Sequence, residues 1–269
     1  MTDNAFRENV VVLTGGSSGI GREVAYQLAA EGAFLVLAAR EPTLLETVAE
    51  ECRRRGARAI AVPTDVSVEV QCSALIERAI AEYGRIDTLI NNAGISMHAR
   101  FDELKTVEPV ERIMRINYFG SVYCTHYALP HLKRSRGRIV AVSSLAGKTG
   151  VPRRSAYSGS KHAMAGFFDS LRLELAGEGV SVTVIYPGFV ATEIGTRAVG
   201  PGGKTLGKRP VRDAEVMAAD ECARQIIAAA AARRRELVMT RQGRIGQWIK
   251  LAAPGLVDRL ILRTMERGR

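Results

Sequence analysis

The sequence predicts an α/β protein with a doubly wound parallel sheet of seven strands and helices on both faces. Short apolar runs alternate with segments of helix length that have helical periodicity. The runs are apolar on both faces, which is typical of parallel strands buried between two helix layers. A glycine-rich turn follows the first run, as expected in this fold class. With 269 residues and 46% hydrophobic composition, the chain can form one sizeable core.

The first half of the chain alternates regularly between the two element types. Short apolar runs predict strands at 9–13 (NVVVL), 34–39 (FLVLAA), 59–62 (AIAV) and 87–90 (DTLI). The segments between them have helical periodicity and predict helices at 20–31, 42–55 and 68–83. Right-handed crossovers of this kind join parallel neighbours and place helices on both faces of the sheet.

The second half continues the alternation, with one exception. Strands are predicted at 138–142 (RIVAV), 181–186 (SVTVIY) and 236–240 (ELVMT), and helices at 108–132, 155–176 and 213–232. The segment 195–212 is rich in Gly, Pro, Lys and Arg and is predicted to be a flexible loop. Long loops at this edge of a sheet are often lids. We therefore expect one Rossmann-type domain over residues 1–243, with a lid at about 193–213.

The charge balance restricts the classes of partner. The chain has 38 Lys and Arg residues against 28 Asp and Glu residues, a net charge of +10. Such a surplus suits nucleic acid, an anionic membrane or a phosphorylated ligand. Nucleic acid ranks last, because aromatic residues make up only 6% of the chain and the arginines are spread along its whole length.

The cysteines and the N-terminal segment indicate the expected compartment. None of the 4 cysteines forms a CxxC pair, and no metal-ligand spacing is present, so no metal site is predicted. The first eight residues are polar and do not resemble a signal peptide. No run of about 18 apolar residues suggests a spanning helix. The default expectation is a cytoplasmic protein, with a peripheral membrane contact left open.

The turn after the first strand has the sequence TGGSSGIG at positions 14–21. Glycines allow the backbone to turn tightly and to approach a pyrophosphate closely. The following helix directs its free N–H groups and its positive dipole end at that anion. The order of strand, glycine turn and helix is the context that a dinucleotide-binding fingerprint requires. The alternative is an ordinary glycine-rich turn between a strand and a helix.

The end of the second strand favours one nicotinamide cofactor over the other. NAD sites carry an acidic residue there, which binds the ribose 2′-hydroxyl. This chain has Arg40 instead, whose guanidinium can pair with a 2′-phosphate, and Ser17 could add a hydrogen bond. The sequence therefore predicts NADP(H), with NAD(H) less favoured. The alternative is that Arg40 is one more surface arginine.

A tyrosine and a lysine are spaced for acid–base chemistry. Tyr157 and Lys161 lie four residues apart, on one face of a predicted helix. A free tyrosine has a pKa of about 10, and a nearby ammonium lowers it, which makes a general acid/base plausible. Ser144 closes the fifth strand at the edge where such sheets bind ligands, so its hydroxyl could hold a substrate oxygen. On its own, a tyrosine and a lysine at this spacing often do no more than cover the surface of a helix.

Together these motifs resemble the classical subfamily of the short-chain dehydrogenase/reductase family. The resemblance runs from about residue 9 to 192, and more weakly to 240. It rests on TGGSSGIG at 14–21, NNAG at 91–94, Asn117, Ser144, YSGSK at 157–161 and PGFVAT at 187–192. Gly159 departs from the pattern, since many members have Ala there. The four-residue spacing of Tyr157 and Lys161 argues against the divergent enoyl-reductase branch, and the chain length argues against the extended branch.

The resemblance implies a cofactor site and a catalytic set. In the family, the catalytic residues would be Asn117, Ser144, Tyr157 and Lys161, with Asn117 holding a water and Lys161 lowering the pKa of Tyr157. Residues matching the family's cofactor contacts are Gly15, Ser17, Ser18, Gly19, Ile20, Gly21, Asp65, Val66, Asn92, Ala93, Gly94, Tyr157, Lys161, Pro187, Gly188, Val190 and Thr192.

The implied function is NADP(H)-dependent interconversion of a carbonyl and a primary or secondary alcohol, with Tyr157 as the general acid/base. Family geometry would place Phe101, Leu145, Val151 and Phe189 near the substrate, which suggests a hydrophobic small molecule. The alternative is a regulatory protein that senses NADP(H) on the same fold without catalysis. The family also implies a homodimer or a homotetramer.

The C-terminal segment 244–269 forms a basic amphipathic extension. Apolar residues recur at roughly helical spacing among arginines, and Pro254 and Gly255 divide the pattern into two short helices. A basic amphipathic helix can lie on an anionic membrane. The alternatives are that the apolar stripe packs on the domain, closes the pocket or meets a second subunit.

Overall fold

One sheet of seven parallel strands organises the computed structural model, which describes residues 5–207 and 216–267. The strands are β1 (Val10–Thr14), β2 (Phe34–Ala39), β3 (Arg58–Pro63), β4 (Thr88–Asn91), β5 (Arg138–Val142), β6 (Ser181–Tyr186) and β7 (Glu236–Val238). Their order across the sheet is β3-β2-β1-β4-β5-β6-β7. The chain therefore changes direction between β1 and β4, and ligands bind at such switch points. The predicted fold class is confirmed.

Helices cover both faces of this sheet. They are α1 (Gly19–Ala30), α2 (Pro42–Arg54), α3 (Glu69–Tyr83), α4 (Glu108–Met114), α5 (Gly120–Ser135), α6 (Ser155–Glu174), α7 (Ala219–Ala231), α8 (Arg241–Ala252) and α9 (Pro254–Arg267). The predicted helix 108–132 is two helices joined by a π-helical turn, Arg115–Phe119. The predicted helix 213–232 begins only at Ala219. Residues 216–218 are extended, and 213–215 lie outside the described residues.

Two hydrophobic clusters, one on each face, explain why the strands are mainly apolar along their length. Val11 and Leu13 of β1 pack with residues of α1, α2 and α7. Val12, which points to the opposite face, packs with residues of α3, α5 and α6. Adjacent residues of a strand face opposite sides, so a strand buried on both sides is mainly apolar rather than alternating.

The segment after β6 makes backbone contacts that its composition does not predict. Val199 is buried and forms a parallel bridge with Met97, in the loop after β4. The Val199 N–H donates to Ser96 O at 2.9 Å, and its carbonyl accepts from the His98 N–H at 2.7 Å. This half of the predicted flexible loop is therefore fastened to the loop after β4. The other half, 208–212, lies outside the described residues.

The C-terminal helices expose much of their apolar surface. Thr240 caps α8, accepting a hydrogen bond from the Gly243 N–H at 3.0 Å. Ile245, Trp248 and Leu251 are spaced to share one face of α8 and are 58%, 69% and 79% exposed. None of the described residues of α8 or α9 lines the cavity beside Tyr157. Of the four predicted roles, closing the pocket therefore does not describe these helices, and Val257 is buried against protein.

Within the described residues, no helix has both the length and the hydropathy that crossing a bilayer requires.

Candidate active site

A cavity of about 480 Å³ opens at the carboxyl edge of the sheet, beside the switch point between β1 and β4. It brings together eighteen of the twenty predicted site residues: Gly15, Ser17, Ser18, Gly19, Ile20, Arg40, Asp65, Val66, Asn92, Ala93, Gly94, Ser144, Tyr157, Lys161, Pro187, Gly188, Val190 and Thr192. Gly21 and Asn117 are not among its lining residues. The structure therefore gathers residues from the segments after six strands and from α6, which the sequence scatters over about two-thirds of the chain.

The turn between β1 and α1 can be built only with glycine at its tightest points. Gly15 and Gly19 have φ values of +68° and +53°, in the left-handed region that favours glycine. A Cβ at Gly15 would lie 2.8 Å from Ala93 Cα. A Cβ at Gly21 would overlap the carbonyl oxygen of Gly15 and lie 2.6 Å from Asn92 Nδ2. The glycines thus form a cradle whose backbone stays open to a ligand, at the N-terminus of α1.

Thr14, the last residue of β1, ties this turn to the loop after β4. Its Oγ1 accepts hydrogen bonds from the Asn92 N–H at 3.0 Å and the Ala93 N–H at 3.1 Å. The Asn92 side-chain amide donates to Thr14 O at 3.0 Å and to Gly15 O at 3.2 Å. Asn92 and Ala93 therefore act here by holding the shape of the cradle.

Asn117 lies behind the cavity wall, fully buried in the π-helical turn. Its Oδ1 accepts from the Ile95 N–H at 2.8 Å, and its Nδ2 donates to Ile95 O at 3.0 Å and to Ser160 Oγ at 2.9 Å. These bonds join the loop after β4 to α6, which carries Tyr157 and Lys161. A π-helical turn inside a longer helix often marks a functional site.

Ser144, Tyr157 and Lys161 are buried together at one wall of the cavity. Lys161 Nζ donates to Val142 O at 2.9 Å and lies 5.8 Å from the centre of the Tyr157 ring. A hydrogen bond with the Ser144 hydroxyl favours the Tyr157 phenolate. Ser144 is itself held in place, since its Oγ accepts from the Ala146 N–H at 3.2 Å.

The charges around Tyr157 differ from the prediction. Burial raises the pKa of Tyr157, and the bond with Ser144 and the charge of Arg154 only partly oppose that rise. Burial lowers the pKa of Lys161 itself to about 7, and the positive charge that lowers the pKa of Tyr157 is not that of Lys161. Arg154, which the sequence did not single out, supplies it instead. The sequence offered one indication of this role: Arg154 precedes Tyr157 by three residues, and helical residues three apart are neighbours.

The opposite end of the cavity carries Arg40, at the end of β2, with an exposed side chain. Glu41 lines the same end of the cavity. A carboxylate therefore follows Arg40 directly, although β2 itself does not end in an acidic residue. Asp65 Oδ1 accepts from the Ser67 N–H at 2.9 Å, which fixes the turn after β3. Val66 packs against Gly120, where a Cβ would lie 2.8 Å from Val66 Cγ2.

The loop after β6 forms the remaining wall. Pro187 O accepts from the Leu145 N–H at 2.9 Å, and Val190 bridges to Met217. The side chain of Thr192 lies 3.0 Å from where a Cβ of Gly19 would be. Arg197, which the sequence did not single out, donates to Ser18 Oγ at 3.3 Å.

The structure contradicts the prediction of a hydrophobic pocket at Phe101. Of its four residues, only Phe189 lines the cavity. Phe101 is 63% exposed, in a short 3-10 turn on the surface. Val151 packs against a cluster that includes Tyr157 and Val199 of the cavity wall, and Leu145 faces Gly188 and Gly243. No group of His, Cys, Asp and Glu side chains in the part of the chain described here could hold a metal ion.

Comparisons with known proteins agree with this geometry. A family model described as short chain dehydrogenase matches residues 9–199. An 11-beta-hydroxysteroid dehydrogenase-like 4A of Arabidopsis thaliana is 46% identical over 182 residues, which are 67% of this chain and 60% of that protein. An 11-beta-hydroxysteroid dehydrogenase 1A of the same plant is 35% identical over 264 residues, covering 94% of this chain and 75% of that one. The match thus spans about three-fifths of the length of the first of these curated relatives.

Two solved structures are similar over most of the fold. A short chain dehydrogenase/reductase from Burkholderia phymatum in complex with NAD has a TM-score of 0.83 and 25% identity, covering 94% of this chain and 96% of that one. An alcohol dehydrogenase from Thermococcus sibiricus complexed with 5-hydroxy-NADP has a TM-score of 0.75 and 25% identity, covering 85% and 94%.

Proposed function

Because this chain belongs to the short-chain dehydrogenase/reductase family of oxidoreductases, we propose that it interconverts a carbonyl and a primary or secondary alcohol with NADP(H). The observation that carries this proposal is the position of Ser144, Tyr157 and Lys161 on one wall of the cavity that also contains the glycine cradle. The substrate is a small, predominantly hydrophobic molecule. The relatives named as hydroxysteroid dehydrogenases make a hydroxysteroid the first candidate to try.

The residues present fit a nicotinamide dinucleotide. Gly15, Ser18 and Gly19 would hold the pyrophosphate at the N-terminus of α1, where free N–H groups and the helix dipole favour an anion. Asp65 and Val66 would hold the adenine end, and Lys161 the nicotinamide ribose. Pro187, Gly188, Val190 and Thr192 would hold the nicotinamide itself. The supporting observation is the tight turn of the cradle, where a Cβ at Gly15 would press on Ala93 and a Cβ at Gly21 on the Gly15 carbonyl.

The bound nicotinamide would supply or accept the hydride at the reacting carbon. Tyr157 holds the proton that the substrate oxygen gains in reduction and loses in oxidation. Burial keeps Tyr157 protonated, which suits a donor. Ser144, beside Tyr157, adds a second hydrogen bond to the oxygen as negative charge develops on it. Asn117 positions these groups by joining α6 to the loop after β4.

The direct test is oxidation of NADPH measured against a panel of ketones and aldehydes that includes ketosteroids, with NADH as a control. We expect turnover of at least one hydrophobic ketone, faster with NADPH. Tight NADPH binding without turnover across the panel would contradict the proposal and favour a regulator that senses NADP(H). The complete set of Ser144, Tyr157, Lys161 and Asn117 argues against that second function, since a sensor needs no acid–base residues.

Replacing Arg40 with aspartate should reverse the cofactor preference. Arg40 lies on the rim of the cavity, and its guanidinium forms no ion pair with a described residue. Losing a charged hydrogen bond to a 2′-phosphate should raise the KM for NADPH about tenfold to a hundredfold. Steady-state kinetics with NADPH and NADH measure the change, and the exposed Arg54→Gln is the matched control. An Arg40→Asp enzyme that still prefers NADPH as strongly would contradict the assignment.

The exposed stripe of α8 is proposed to lie on an anionic membrane surface. Arg241 and Arg244 share the helical face of Ile245 and Trp248, so positive charge borders the apolar stripe. Members of the family typically oligomerise, and we propose a homodimer or a homotetramer, so a second copy is the other possible occupant of the stripe.

The double variant Trp248→Ala/Leu251→Ala should bind vesicles containing phosphatidylserine at least about tenfold more weakly, because burying each side chain contributes about 1.5–3 kcal/mol. Flotation of the full chain measures this, with phosphatidylcholine vesicles as the neutral comparison. The control is Val70→Ala, which changes an exposed apolar residue on α3. If flotation is unchanged and light scattering instead shows a smaller particle, the stripe is a subunit contact.

A further inference from the structure

Arg154 lies in the candidate active site, although no motif assigns it a role. It immediately precedes α6 and lines the same cavity as Ser144 and Tyr157. Its guanidinium carbon is 6.0 Å from the centre of the Tyr157 ring and 5.1 Å from that of Phe189. It is therefore a fixed positive charge beside the residue that would handle the substrate proton.

This charge has no partner of opposite sign within residues 5–207 and 216–267. Arg154 Nε is buried and makes no hydrogen bond. The Nε of the neighbouring Arg153 is likewise buried without a partner, but its Nη2 donates to both carboxylate oxygens of Glu103, at 3.2 and 3.0 Å. Glu193, the acidic residue among the described residues of the loop after β6, lies near Gly19 in the cradle instead.

An arginine without an acidic partner at the wall of a cavity lowers the stability of the folded protein. The guanidinium stays charged, and burial without a partner removes water that would otherwise solvate it. Burial accordingly lowers the pKa of Arg154 below its usual value. Its planar fork matches a carboxylate, which it can bind through two parallel hydrogen bonds. A bound carboxylate would supply the opposite charge that no described residue places beside this guanidinium.

We infer that Arg154 determines substrate specificity by binding a carboxylate on the substrate, so that the preferred substrate is a hydrophobic keto acid or hydroxy acid. This inference rests on the proposed function. The rings of Tyr157 and Phe189 beside the guanidinium provide the apolar surface for the remainder of the molecule. The carboxylate and the reacting carbonyl then belong to one small molecule.

The test compares ketones that differ only in charge. Para-acetylbenzoate and 3-benzoylpropionate are each measured beside their methyl esters, with wild-type enzyme, Arg154→Gln, Arg154→Lys and the control Arg153→Gln. Binding is measured by calorimetry in the presence of NADP⁺, which cannot reduce a ketone, and turnover is measured with NADPH. The binding measurement does not depend on catalysis.

We expect the wild-type enzyme to bind at least one acid about tenfold or more tightly than its ester, the gain of a charged hydrogen bond. Arg154→Gln should remove that preference, through KM more than kcat, while Arg154→Lys retains part of it and Arg153→Gln retains it fully. The inference is overturned if the wild-type enzyme binds acids and esters equally. It is also overturned if Arg154→Gln shifts the pH profile of kcat but leaves the preference for acids unchanged. Selective binding without turnover would support Arg154 and contradict the proposed function.

Discussion

Tyr157→Phe is expected to lower kcat by about a hundredfold to ten-thousandfold, the range for loss of a positioned general acid/base. The phenol ring is buried beside Ser144 and Lys161, and only its hydroxyl can exchange a proton with the substrate oxygen. The ring itself stays, so the wall of the cavity keeps its shape. NADPH binding, measured by fluorescence titration, should therefore change by less than about threefold, since no charged hydrogen bond to the cofactor phosphates is lost.

The control for this variant is Tyr186→Phe. Tyr186 is fully buried at the end of β6, and its hydroxyl has no hydrogen-bond partner, but it does not line the cavity. Removing that hydroxyl should leave kcat and the cofactor affinity unchanged. A Tyr157→Phe enzyme with more than about a tenth of wild-type kcat would show that another group handles the proton, and the assignment of Tyr157 would fail.

Gly21→Ala is expected to abolish cofactor binding and to destabilise the fold. The added Cβ would overlap the carbonyl oxygen of Gly15 and press on Asn92 Nδ2. The backbone of Gly15 is part of the cradle, and Asn92 holds that cradle to the loop after β4. Overpacking at such a site costs about 1–3 kcal/mol. We expect NADPH affinity to fall more than about a hundredfold, because the turn must move to admit the methyl group.

Gly159→Ala is the matched control, the same change on an exposed position of α6 with open space around it. Glycine inside a helix is less favourable than alanine by about 0.5–1 kcal/mol, so this variant should be slightly more stable. Thermal unfolding and NADPH titration of both variants give the two readouts. Normal NADPH affinity in Gly21→Ala would mean that the turn does not contact the cofactor.

The strands were the most predictable part of the fold. The bounds of β2, β5 and β6 agree with the prediction to the residue, because each is a short, mainly apolar run that ends at a polar residue or a proline. The helix predicted over 108–132 concealed a π-helical turn, since one extra residue per turn hardly disturbs hydrophobic spacing. The start of α7 was placed too early. Met217 instead pairs with Val190, a long-range contact that local helix propensity does not reveal.

The candidate site was predictable in its members but not in its electrostatics. Motif spacing found Tyr157 and Lys161, yet it could not show that burial raises the pKa of one and lowers that of the other. Phe101 was expected near the substrate and lies on the surface, because the hydrophobicity of a loop residue does not determine where the loop runs. Arg154 was overlooked because the chain contains many arginines. Only the fold distinguishes the arginine that faces the cavity from its neighbour, paired with Glu103.

The hydrogen bonds of Thr14 have a consequence for the kinetics of cofactor capture. They fasten the two loops at the switch point to each other through protein contacts alone. These bonds preorganise the open cradle, so cofactor association does not depend on a rarely populated conformer of the loops. Little conformational entropy is lost there when the cofactor arrives. Stopped-flow association through this edge should therefore be a single phase whose rate rises linearly with cofactor concentration.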